Sequence, residues 1–327
     1  MPKYALLFIL AVVFTTPRPL PAQQPMNHFP SHTLQNGDLT MTVNLPDPEK
    51  GSYRGTRFDW SGILTSLTWK GHEYFGYWKA FGDPMVHDDI TGPAESFWKP
   101  GLNYEEAKPG EGFVRIGVGV LEKPDEEGYQ SFNTYPVLDH GEWKVEKKSD
   151  RITFTQRLQT DFGYAYTYTK EIRLSEEEPG FVIAHSLTNS GSRAIETDQY
   201  NHNFFMIDGE TTGPNMELDF PFPVSTESDL KDIVRIEGTT FHFPKTLQEG
   251  ETVFLELEGY GDSPAHHGFT MRNTRTGAGV RMQADHPLER FTFWCRNTTI
   301  CPENALLVRV APGQTVLWEA AYTLFAP

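Results

Sequence analysis

The sequence predicts an all-β protein, a large antiparallel β-sandwich, and three observations carry that expectation. Apolar residues recur with period two rather than 3.6. Turn residues punctuate the apolar runs at short intervals, drawn from a pool of 28 glycines and 24 prolines that a helical bundle would not tolerate. The mature chain is long enough for two facing sheets to bury alternate residues of every strand.

In chain order, Met1 to Ala22 comes first: one basic residue, Lys3, then the apolar run Ala5 to Phe14, then Pro17, Pro19 and Pro21. That order is the pattern of a cleavable secretory signal peptide, and the run is well short of the roughly 20 residues that span a bilayer. An uncleaved anchor is the alternative reading. Cleavage after Ala22 leaves residues 23–327 as a single sandwich domain and makes the protein periplasmic or secreted. No later run is apolar for long enough to cross a membrane, and no internal repeat or linker divides the chain. The stretch Pro84 to Gly112, rich in Pro, Gly and Asp, reads as a long functional loop. Phe113 to Leu121 reads as strand. Tyr164, Tyr166 and Tyr168 share one strand face, as do Phe181, Ile183, His185 and Leu187. Turns fall at Glu178–Gly180 and Asn189–Gly191, and Thr276–Gly279 joins Phe269–Arg272 to Val280–Gln283. The final stretch, Ala305 to Phe325, is broken once by Pro312-Gly313.

Charge narrows the partners. With 44 acidic against 28 basic residues the formal net charge is −16, which argues against nucleic acid or an anionic membrane surface as partner. Eleven histidines invite a metal, but no His-x-x-x-His pair or cysteine cluster supplies a ligand set, so no metal is expected. His87-Asp88-Asp89 reads as a solvated loop or as ligands for a hard cation. Cys295 and Cys301 would either close a bridge over a hairpin turn or stand as two buried thiols on adjacent strands. Composition does not set the oligomeric state.

The informative stretch is Tyr200-Asn201-His202-Asn203-Phe204-Phe205, a polar triplet against two aromatics. The run from Phe181 through Thr188-Asn189-Ser190-Gly191 to this stretch resembles the aldose 1-epimerase (galactose mutarotase) superfamily. So does Ile300-Cys301-Pro302-Glu303 followed by Pro312-Gly313, and Gly55-Thr56-Arg57 through Ile63–Leu67 to Gly71 is similar to the family's first hairpin. The resemblance implies a mutarotase-like sandwich, a sugar substrate, Glu303 as general base and His202 as general acid. It also places His87 where the family has a second histidine. The chain departs from the family in having Val86-His87-Asp88-Asp89 in place of a Leu-His-Gly-Gly run.

The chemistry fits those residue types. One anomer becomes the other when a base takes the proton of the anomeric hydroxyl and an acid protonates the ring oxygen, so that the ring opens, C1–C2 rotates and the ring closes again. No cofactor is needed. A carboxylate beside an imidazole is expected to favour the imidazolium, and the two are expected to face each other across a sugar. Arg57 or Arg54 would fork hydrogen bonds to hydroxyls, with His87 and Asn201 adding shorter contacts. Trp98 and Trp294 offer flat faces for a pyranose. Glu95 is a second carboxylate for substrate. Two other readings use the same residues: a non-catalytic carbohydrate-binding sandwich, and a lyase or glycosidase acting on oligosaccharides through Glu95 with His87 or His202.

Overall fold

The computed structural model describes residues 29–98 and 100–327. The expected signal peptide lies outside the described residues. Twenty-two strands follow one another: β1 (Ser31–Asn36), β2 (Leu39–Asn44), β3 (Ile63–Trp69), β4 (His72–Phe75), β5 (Gly92–Ser96), β6 (Gly112–Arg115), β7 (Gly119–Glu122), β8 (Val137–Asp139), β9 (Glu142–Lys147), β10 (Arg151–Gln159) and β11 (Ala165–Leu174). The second half holds β12 (Gly180–Asn189), β13 (Ile195–Phe204), β14 (Met216–Asp219), β15 (Arg235–Glu237), β16 (Thr240–His242), β17 (Thr252–Leu257), β18 (Gly268–Asn273), β19 (Gly279–Ala284), β20 (Arg290–Arg296), β21 (Thr299–Val310) and β22 (Thr315–Phe325). The described residues contain no α-helix, only two single-turn 3-10 helices at Ile207–Gly209 and Pro264–His266.

Every pairing is antiparallel. A ten-stranded sheet runs β15-β16-β14-β18-β19-β22-β12-β11-β10-β9, and a five-stranded sheet runs β17-β20-β21-β13-β5. The four-stranded sheet β1-β2-β3-β4 joins the second through isolated bridges from Phe75 to Phe205 and from Phe205 to Ile300. A small sheet, β6-β7-β8, stands apart. One core holds Ile152, Ile172, Phe181 and Ile183 from the ten-stranded sheet together with Val253, Leu255, Phe291 and Phe293 from the five-stranded one, so the two sheets are packed face to face. The tyrosine and Phe181–Leu187 faces point inward as the period predicts, with Tyr166, Tyr168, Phe181, Ile183 and Leu187 all buried.

Pro84 to Gly112 is not all loop: its centre is β5, the edge strand beside β13. Pro93 and Gly92 hide that strand in the sequence, and both are tolerated because an edge strand leaves one side of the ladder unpaired. The Pro312-Gly313 turn carries the chain from the five-stranded sheet to the ten-stranded sheet, with Gly313 at φ 76°. Cys295 and Cys301 are free and buried. Cys295 pairs in register with Ile300 and Cys301 with Trp294. The two thiols fall on opposite faces of the sheet, Cys295 in the intersheet core and Cys301 in the outer cluster, so the thiol reading holds and the bridge does not.

Candidate active site

The site is written on β13. Residues 197–204 are all buried because both faces of this strand are covered. Asn201 and Asn203 point into the sandwich. Tyr200, His202 and Phe204 point outward into a second aromatic cluster with Phe58 and Trp78. Register then fixes who faces whom: His202 lies opposite Glu303 on β21, and Glu303 opposite Thr292 on β20. Pro302, one residue before Glu303, has no N–H to give, and the β13–β21 ladder stops at the His202–Glu303 rung. The side chain of Asn203 takes over there, donating to the Pro302 carbonyl at 2.8 Å and accepting from Tyr322 at 2.8 Å.

On the outer face His202 Nε2 approaches Glu303 Oε1 at 3.2 Å, and Thr292 donates to Glu303 Oε2 at 3.3 Å. The imidazole stacks on Phe204, centroids 4.0 Å apart, with the edges of Phe58 and Trp294 at 5.8 and 5.7 Å. His202 and Glu303 are only 4% and 6% exposed. Burial pushes the Glu303 carboxyl up to about 7, against the pull of Arg57 and Arg290. Burial, with Arg57 adding to it, pushes His202 well below its ordinary value. Both shifts disfavour the charged form, which corrects the expected imidazolium. His202 Nδ1 is buried and has no partner.

Arg57 donates to the Tyr200 hydroxyl at 3.3 Å. Its guanidinium lies 4.6 Å from the Phe58 centroid, 4.9 Å from Phe132 and 5.8 Å from Trp98. Arg290 lies 5.6 Å from the same Trp98 ring and reaches Asp198 at 3.4 Å. Phe132, 59% exposed, packs on His87 at 4.8 Å. His87 is lowered by burial. The structure thus gathers Arg57, His87, Trp98, His202, Trp294 and Glu303 around one outer face.

It does not place Glu95 or Asn201 there. Glu95 sits opposite Asn201 in register and, like it, faces the sandwich interior. Asn201 donates to Glu95 Oε1 at 3.0 Å, while Glu95 Oε2 takes Lys170 at 2.9 Å and His185 at 2.9 Å. Lys170 also reaches Asp59 at 2.7 Å. Burial would raise Glu95, yet His185 and Lys170 hold it down at about 2, whereas burial keeps Asp59 raised. As substrate contacts Glu95 and Asn201 are therefore corrected: strand alternation turns both away from the face that carries His202. The expectation that His202 and Glu303 face each other across a sugar is corrected too, since pairing on one rung of adjacent strands puts them side by side.

Sequence reading missed Arg290, Thr292 and Phe132. Period two counted back from Trp294 names Thr292 and Arg290 as its face-mates, so that signal was present. Phe132 lies in an acidic loop and gives none. A small cleft lies elsewhere, lined by Asn44, Ile63, Tyr77, Phe81 and Asp89 among others. Among the described residues no group of three His, Cys, Asp or Glu side chains is placed to hold a metal ion.

No protein-family profile matches the chain, and no curated protein matches it. Solved structures do. A galactose mutarotase-like protein from Clostridium acetobutylicum superposes with a TM-score of 0.56 at 12% identity, covering 90% of this chain and 95% of that one. One from Lactobacillus casei gives 0.53 at 16% identity over 90% and 100%. The Slr1438 protein of Synechocystis sp. PCC 6803 gives 0.54 at 13% over 98% and 100%. The chain therefore has the galactose mutarotase-like β-sandwich fold. The likeness spans nearly the whole of each molecule, and it is one of fold.

Proposed function

We propose that this chain is an exported enzyme of the aldose 1-epimerase type, which interconverts the anomers of a sugar by general acid–base ring opening. The observation that carries the reading is the contact of His202 with Glu303 at 3.2 Å on a face shared with Arg57 and Trp98. The fold likeness to galactose mutarotase-like proteins supports it.

The side-by-side geometry suits the reaction. The anomeric hydroxyl and the ring oxygen are bonded to the same carbon, so an acid and a base side by side on adjacent strands reach both from one side of the sugar. His202 Nδ1–H gives its proton to the ring oxygen while Nε2 receives the Glu303 proton. The carboxylate so formed takes the proton of the anomeric hydroxyl, and the C1–ring oxygen bond breaks to leave the open-chain aldehyde. Each protein group ends as it began in net charge, which a buried site of low dielectric favours. Rotation about C1–C2 and the reverse proton movements close the other anomer.

The test is polarimetry of freshly dissolved α-glucose and α-galactose with the mature chain. His202→Ala and Glu303→Gln are each expected to lose roughly 10²- to 10⁴-fold of the acceleration. Variants that accelerate as well as the wild type would refute the assignment, and a wild type that accelerates neither sugar would exclude these two neutral aldoses as substrates. The binding-only reading is favoured by the near-complete burial of the pair and predicts sugar binding by calorimetry with no acceleration. The glycosidase or lyase reading loses its carboxylate, because Glu95 is sealed in the interior. Export rests on residues 1–22 and is tested by N-terminal sequencing of the chain recovered outside the cytoplasm, expected to begin at Gln23.

A further inference from the structure

We infer that the substrate carries an anionic group, a carboxylate or a phosphate, and that Arg57 receives it. The inference rests on reading this face as the sugar site and narrows its substrate from neutral aldoses to acid sugars.

Buried cations in folded proteins are paired. Lys170 shows the rule, with carboxylates at 2.7 and 2.9 Å. Arg57 is different. It is 9% exposed, its side chain makes one hydrogen bond, to the Tyr200 hydroxyl, and its Nε is buried without a partner. Among the described residues no carboxylate stands within ion-pair distance of it. Three aromatic rings lie against the guanidinium and offset part of the cost of desolvation. They do not neutralise the charge.

The nearby acids do not complete the pair. Glu303 directs its oxygens to His202 and Thr292 and holds its proton up to about 7, and Asp198 engages Arg290. A neutral sugar would satisfy a donor but leave the positive charge uncompensated. An anionic oxygen pair supplies acceptors for the planar fork and the missing countercharge together. Arg290, on the same Trp98 ring, adds a second cation within reach of a ligand lying on that ring. The molecule as a whole is strongly acidic, so attraction of an anion has to be local, and a guanidinium half-caged in aromatics is a local device.

The test follows anomer exchange at equilibrium by NMR saturation transfer, with glucose, glucuronate and glucose 6-phosphate as probes and the mature wild type, Arg57→Gln, Arg57→Lys and Arg290→Gln as enzymes. Binding of each sugar is measured in parallel by calorimetry. The wild type is expected to prefer one acid sugar over glucose by roughly 10- to 100-fold in kcat/KM, the worth of a charge-assisted hydrogen bond. Arg57→Gln should erase that preference, Arg57→Lys should keep part of it, and Arg290→Gln, at a half-exposed site, should reduce it less. Preference for glucuronate or for the phosphate tells the carboxylate source from the phosphate source. Glucose exchanged as well as or better than both acid sugars would overturn the inference and leave the epimerase reading standing. Acid sugars bound through Arg57 without faster exchange would keep the anion site and overturn the epimerase reading. Arg290→Gln and Arg57→Lys keep the test decisive should Arg57→Gln fail to fold.

Discussion

Replacing Lys170 by Met tests the physical argument on which the site's support rests. The methylene stem is kept and the ammonium removed. What remains is Asp59 and Glu95, whose oxygens stood 2.7 and 2.9 Å from the lost nitrogen, and the Ser61 carbonyl 3.0 Å from it. Both carboxylates retain other donors: Ser61 and Tyr168 for Asp59, His185 and Asn201 for Glu95. The cost is therefore that of breaking a buried ion pair whose partners stay hydrogen-bonded, about 3–5 kcal/mol. A chain of this size unfolds with an entropy near 0.6 kcal/mol per kelvin at about 2.1 cal/mol/K per residue, so the melting temperature should drop by roughly 5–8 °C. The pH dependence has a definite sign. In the wild type Glu95 is held at about 2 against an ordinary 4.5, so its stabilisation is present above pH 4.5 and fades as pH falls from there toward 2. Without the ammonium both carboxylates take up protons at much higher pH, and the deficit of the variant should be largest near pH 8 and shrink toward pH 5. Adding Glu95→Gln should restore part of the loss, giving a double variant less destabilised than the two singles added together. Calorimetric melts at pH 5, 6.5 and 8 provide the readout. A drop under about 2 °C at pH 8, or a deficit that grows on acidification, would refute the account of a dry, paired cluster.

Three further outcomes follow from the same structure. The kcat/KM for anomer exchange should fall above about pH 7, where the pair loses its one proton, and hold on the acid side until the lowered His202 titrates; a profile rising through pH 7 would contradict it. Glu303→Gln should melt higher than wild type at pH 8 but not at pH 4, because a carboxyl raised in the fold lowers stability as pH climbs from its ordinary 4.5 to about 7, and thermal scans of the variant at both pH values settle it. Thiol labelling without reductant should modify neither Cys295 nor Cys301 in the native protein and both after unfolding; labelling of neither after unfolding would mean a disulfide.

The sheets were legible because their signal is local. Alternation in Phe181–Leu187 and the turn at Thr276–Gly279 depend on neighbours in the chain, and both strands and turn are where the period puts them. β5 was not legible, since Gly92-Pro93 speaks against a strand and only its pairing with β13 overrules that. At the site, the residue types were readable and the faces were not. Asn201 and His202 are adjacent in sequence and both polar, so composition treats them alike. Only the strand pleat sends one to Glu95 and the other to Glu303. Nor could the sequence show that desolvation would outweigh the mutual attraction of carboxylate and imidazole, because that depends on Phe58, Phe204 and Trp294 closing over the pair from three separate segments.

The two faces of β13 solve opposite electrostatic problems. Inside, the polar groups are partnered: Lys170 lies 2.7 Å from Asp59 and 2.9 Å from Glu95, and His185 lies 2.9 Å from Glu95. Outside, the groups are left short. His202 Nδ1 and Arg57 Nε have no partners, and Glu303 is held near the middle of the physiological range. Unsatisfied buried groups cost stability unless something fills them. A ligand that supplies an acceptor for Nδ1, an anion for Arg57 and a hydroxyl for Glu303 would recover all three losses at once. An acid sugar presents those three groups on one small molecule.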